Sequence, residues 1–133
     1  RAAMCLAAPA REVTFGLHYP VRSGAPPLRV FFPEAVGAQL AANCVHLVLR
    51  WAQVDFRSRR VTLPGLFRWF WSDFGGADAS VLEYVLTALR EWPERLMELE
   101  AESLASDEDR SAAPRAAALL ADLEALGRSA PPA

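Results

Sequence analysis

The sequence predicts an α+β domain, a small antiparallel sheet with several helices packed on it, forming part of a larger domain. Three observations predict it. Apolar residues alternate near the start of the chain, apolar residues recur at the helical period in its middle, and a polar run flanked by two short apolar pairs patterns as a hairpin. With 133 residues, 53% of them hydrophobic and 10% aromatic, the chain has enough apolar surface to bury a core.

Near the start, Val13, Phe15, Leu17 and Tyr19 alternate with other residues, the period of a strand with one buried face. Pro20, Gly24, Pro26 and Pro27 then exclude both a helix and a central strand, so a loop follows. Pro33 and Glu34 open a helix, since Pro has no N–H to leave unpaired in a first turn and Glu favours the positive end of the dipole. This helix continues to Gln53. Val36, Leu40, Cys44, Leu47, Val48 and Trp51 share one arc of it, and Gln39, Asn43, His46, Arg50 and Gln53 share the other. Cys44 is thus expected in the core and His46 on the surface.

Val54 and Phe56, then Val61 and Leu63, flank Arg57, Ser58, Arg59 and Arg60, a hairpin whose tip carries positive charge. Pro64 starts a short helix holding Leu66, Phe67, Phe70 and Trp71, which Gly75 and Gly76 stop. Helical spacing buries most of these rings, with Trp69 or Trp71 in the core and Asp73 serving the turn. Asp78 caps the next helix, whose Val81, Leu82, Val85, Leu86, Leu89 and Trp92 form a clean apolar stripe. Pro93 ends or restarts it, and a second helix through Leu104 carries Glu94, Glu98, Glu100 and Glu102 before a polar break at Ser106, Asp107, Glu108, Asp109 and Arg110. A last helix from Pro114 to Leu126 sets Leu119, Leu120, Leu123 and Leu126 on one face, with Gly127 as its stop.

The basic residues number 14, all of them arginine, against 16 acids, for a formal net charge of -2. That balance leaves no basic footprint for nucleic acid or an anionic membrane surface. No stretch approaches the ~18 apolar residues of a membrane span, and a cytoplasmic setting is expected. Cys5 and Cys44 are too few and too far apart for a disulfide framework or a zinc site, and neither His18 nor His46 has a Cys or carboxylate at ligand spacing. No metal and no cofactor is expected. Cys44 faces the core and Cys5 lies in an Ala-rich lead-in, so no thiol nucleophile is nominated. The acids from Glu94 to Asp109 pattern as a solvated face, with a basic protein partner as the functional alternative.

Two blocks carry a resemblance. Thr14, Phe15, Gly16 and Leu17, followed by Arg22, Ser23, Gly24, Ala25, Pro26, Pro27, Leu28 and Arg29, resemble the signature H-F-A-L-x-C-G-x-x-S-C-P-P-[IL]-R of the domain of unknown function 547 family. Leu63, Pro64, Leu66, Phe67, Trp69, Phe70, Asp73, Phe74 and Gly75 are similar to that family's second block, and Gln39-Leu40 between the two fits as well. The resemblance covers about residues 11–92 and reads 1–92 as the C-terminal part of such a domain; outside it, 93–127 is expected as a helical extension and 128–133, rich in Ala and Pro, as a disordered tail. It implies a distant likeness to papain or transglutaminase folds, with the His and Cys of the first block as the reactive groups. Here Thr14 stands at the His position, Tyr19 at the first Cys and Gly24-Ala25 at the second. Relatives in that family are fused to glutaredoxin-like or DEP modules in some eukaryotes.

The function expected is that of a non-catalytic binding or structural module within a larger protein, with a protein partner. His18, Arg22, Ser23 and Arg29 form its candidate functional loop. The alternative is a degenerate relative of papain-like thiol hydrolases or transferases, for which His18 is the nominated base.

Overall fold

A computed structural model of the chain describes residues 11–16 and 29–128. The elements are a 3₁₀ turn at Arg11–Gly16, α1 (Val36–Trp51), β1 (Gln53–Asp55), β2 (Arg60–Thr62), α2 (Leu66–Trp69), a 3₁₀ turn at Trp71–Phe74, α3 (Asp78–Ala101) and α4 (Asp107–Arg128). Among the described residues, four helices and a two-stranded antiparallel sheet make this an α+β fold, as predicted.

The strand predicted around Val13 is replaced, over its described part, by the first 3₁₀ turn. Thr14 and Phe15 are neighbours in the chain and both are buried, which a strand with one buried face does not allow. Among the described residues no strand pairs with this segment. Instead the Asn43 amide donates to the Phe15 carbonyl at 2.8 Å. Leu17 and Tyr19, the rest of that predicted strand, lie outside the described residues.

α1 is the centre of the molecule. A turn closed by Ala35 N–H on the Phe32 carbonyl leads into it, so the helix starts at Val36, three residues after Pro33. Every residue from Ala42 to Val48 is buried, because the Arg11–Gly16 turn, α3 and α4 all pack against this helix. The sheet that follows is short and in register, with Val54 opposite Val61 and their neighbours Gln53, Asp55, Arg60 and Thr62 exposed. Asp55 shapes the hairpin loop: its carboxylate accepts from the N–H groups of Arg57 and Ser58 and from the Ser58 hydroxyl. Arg59 completes the loop in the left-handed region, at φ 58°.

Phe67 and Phe74 do bury, with Phe15 and against half-buried Tyr84, in a cluster whose closest ring centroids are 4.9 Å apart. Trp69 and Trp71 do not: they are 50% and 38% exposed, contrary to the expectation that one of them fills the core. The reason is that α2 lasts a single turn and the chain tightens into a 3₁₀ turn at Trp71, so a 3.6-residue stripe is not continued. Gly75, at φ 98°, then reverses the chain; a Cβ there would meet Ser80 Cβ at 2.5 Å.

α3 runs through Pro93 without ending. The proline sits on an exposed face, and buried Leu89 and Trp92 before it and Leu99 after it anchor both halves of the helix. That packing outweighs the roughly 3 kcal/mol an interior proline costs. The helix ends in a Schellman motif, Leu104 N–H on the Leu99 carbonyl and Ser103 N–H on the Glu100 carbonyl, with Ser103 at φ 57°. α4 begins at Asp107, well before the predicted start at Pro114, because Ser106 and Asp109 cap it reciprocally.

Candidate functional site

Of the polar arc that the sequence places on the surface, Arg50 and Gln53 are exposed, but the part nearer the start of α1 is internal. Gln39, Asn43 and His46 stand at i, i+4 and i+7 on one face, and each is buried against a polar partner. Gln39 takes the place of a neighbouring strand for the segment before α1: its carbonyl accepts from Phe32 N–H and its amide donates to the Val30 carbonyl, both at 2.8 Å. Asn43 bridges the Phe15 carbonyl and Arg29, whose Nε donates to Asn43 Oδ1 at 3.1 Å. His46, expected on the surface, is only 8% exposed.

His46 and Arg29 meet at Asp109, which has no exposed surface. Arg29 grips its carboxylate with both terminal nitrogens, at 3.0 and 3.3 Å. His46 Nε2 lies 2.6 Å from Oδ1, and Ser106 N–H donates to Oδ2 at 2.9 Å. Burial alone would push the Asp109 carboxyl up, but the hydrogen bonds from His46, Arg29 and Ser106 and the Arg29 charge outweigh it and hold the group well below the usual carboxylate range. An ionised carboxylate only accepts, so in this hydrogen bond His46 Nε2 is the donor.

A histidine oriented by a buried acid is half of a nucleophile-activating arrangement. The other half is missing among the described residues: no hydroxyl or thiol there is hydrogen-bonded to His46. Cys44, two positions away on α1, points elsewhere and is buried, as its apolar arc predicts. Burial, with the Glu12 charge adding to it, pushes its thiol far above the ordinary range. Among the described residues no group of three or more His, Cys, Asp or Glu could hold a metal ion.

Of the candidate loop, His18, Arg22 and Ser23 lie outside the described residues. Arg29 is described, and its head is engaged with Asn43 and Asp109. Asp109 itself was legible only as part of a polar break. The signal that marks it is the Ser106-x-x-Asp109 spacing of a capping box.

A second feature is open. A groove of about 1000 Å³ lies between β2, α2, the start of α3 and the end of α4. Val61, Leu63, Phe67, Leu82 and Leu123 give it an apolar floor. Arg59, Arg68, Trp71 and Asp78 supply its polar and aromatic edges. Arg59 spans from the hairpin to the Leu126 carbonyl at 3.2 Å, a cation at the negative end of α4.

The fold and these two features define an α+β domain with a buried ion-pair centre and an open apolar groove. No protein-family model, no curated protein and no solved structure matches the chain. Among the described residues no helix is long and apolar enough to cross a membrane.

Proposed function

We propose that this chain is a non-catalytic binding module of a larger protein and that it captures a protein partner in the groove between β2, α2, α3 and α4. One observation carries the proposal: among the described residues Arg29, His46 and Asp109 engage one another in the interior, while the apolar groove between β2, α2, α3 and α4 is open. The resemblance to the domain of unknown function 547 family supports it from the other side. Thr14, at the position of that family's His, is buried, and Tyr19, Gly24 and Ala25 stand where its Cys residues would be.

Two measurements on the purified chain test this. Peptide, ester and amide substrates, offered with and without a thiol-alkylating reagent, are expected to show no turnover. Hydrogen exchange in the presence of peptide binders is expected to slow in β2, α2 and the first turn of α3. Turnover that the alkylating reagent abolishes would restore the degenerate thiol hydrolase as the function.

A further inference from the structure

The charge of the groove runs against that of the chain. Between Asp55 and Asp73 the sequence holds Arg57, Arg59, Arg60 and Arg68 and no acid, in a chain whose formal net charge is -2. Arg59 and Arg68 line the groove against a single acid, Asp78, and Arg57 and Arg60 are exposed on the adjoining hairpin. Arg59 already donates to Leu126, which leaves the exposed Arg68 as the guanidinium placed to meet a ligand. Trp71 lies beside it on the groove wall. Trp and Arg around a floor that a ligand can desolvate are the residue types that carry most interface energy.

We infer that the groove takes a linear peptide segment bearing large apolar side chains together with Asp or Glu. This rests on the groove being the binding surface, as proposed above. The apolar groups lie on Val61, Leu63, Phe67 and Leu82, and the carboxylates meet Arg68 and the hairpin arginines, Arg68 being able to take one in two parallel bonds. A nucleic-acid strand suits the surface less well. Its phosphates need a track of cations, whereas this floor is apolar, Asp78 stands at its edge, and the carbonyl end of α4 closes one side at Leu126 and Gly127.

Selection from a displayed library of random linear peptides on the full chain tests the inference, with hydrogen exchange to locate the binders and titration over a salt series. The expected binders combine Asp or Glu with Leu, Phe or Trp and protect β2, α2 and the start of α3. Their affinity falls as salt rises, drops about tenfold or more in Arg68→Glu, and drops by less in Arg68→Lys, which keeps the charge, loses the second parallel bond and shows that the position tolerates change. Groove binders that carry no acid, or that ignore Arg68→Glu, would overturn the acidic assignment and leave the groove as a binding surface. Binders that all map elsewhere, or none at all, would overturn both. Tighter binding of a single-stranded oligonucleotide, or self-association abolished by Arg68→Glu, would also overturn it and give the surface to nucleic acid or to the acidic end of a second copy.

Discussion

Replacing Asp109 by Asn removes the charge on which Arg29, His46 and the start of α4 converge. The asparagine keeps one acceptor and turns an N–H₂ group toward donors that have no other use for it. Breaking a buried ion pair by removing one partner costs about 3–5 kcal/mol. The Arg29 side chain is 16% exposed, so water reaches part of it, and the lower end of that range, about 3 kcal/mol, is expected. With a urea m-value of roughly 1–3 kcal/mol per molar, the unfolding midpoint drops by about 1–3 M. The pH dependence has a definite sign. The folded carboxyl titrates below its unfolded value of about 3.9, so the stabilisation is complete above that pH and is lost as pH falls toward the depressed folded value. Urea melts of wild type and Asp109→Asn at neutral pH and through the acid range measure both effects, and the gap between the proteins should narrow in acid. A neutral-pH difference under about 1 kcal/mol, or a gap that stays constant as pH falls, refutes the view that this centre holds the fold together.

Ser103→Gly should stabilise the chain by about 0.5–1 kcal/mol in the same melts, since a left-handed residue with a Cβ pays roughly 1–2 kcal/mol and glycine returns part of that in unfolded-state entropy. Loss of stability would mean that the Ser103 side chain makes a contact worth more than its strain. Pro93→Ala should raise the urea midpoint, because it restores an amide donor toward the Leu89 carbonyl in a helix that already runs through the position; a lower midpoint would show that the proline limits the unfolded chain more than it harms the helix. Cys44 should react with a thiol reagent at neutral pH only as fast as the chain opens, accelerating in denaturant, whereas immediate labelling of the native protein would contradict its burial. Arg59→Gly should cost less than Arg59→Ala by about 1 kcal/mol: both lose the tie to Leu126, and only alanine keeps the left-handed strain. Equal stabilities of the two variants would place no strain at that turn.

What the sequence made legible was the periodicity of single elements. The inner part of the apolar arc of α1 at Cys44, Leu47 and Val48, the hairpin around Val54 and Val61, the stripe from Val81 to Trp92 and the glycine stop at Gly75 each depend on neighbours within a few positions, and each is where the pattern put it, whereas Val36 at the start of that arc is exposed. The errors come from contacts made at long range. The arc of Gln39, Asn43 and His46 is polar, and polarity was read as exposure; Gln39 finds its partners Val30 and Phe32 nearby, but Phe15, the partner of Asn43, and Asp109, the partner of His46, lie 28 and 63 positions away. A polar stripe is buried whenever another element brings it matching groups, and nothing local encodes that. Pro93 and Pro114 were read as boundaries for the same reason: local cost was visible and the tertiary packing that exceeds it was not. α4 also hid its first half because Asp109, Ala112 and Ala116, which face inward, include no large apolar residue.

The two features of the molecule are joined through α4. Its first turn is pinned by Asp109 to Arg29 and His46, and its last turn is held by Arg59 at the Leu126 carbonyl. Leu123 and Leu126, which line the groove, sit on the same face of this helix as Asp109, Ala112 and Ala116. The position of that wall is therefore fixed at both ends by arginines from other parts of the chain, one from the segment that precedes α1 and one from the hairpin. An ion pair at such a point does more than add to stability. Unlike an apolar contact, which tolerates sliding along a helix, a doubly hydrogen-bonded carboxylate fixes the register of α4 against α1. A groove that binds without rearranging needs walls fixed in this way, because a wall ordered only on binding would give up part of the binding energy to conformational entropy.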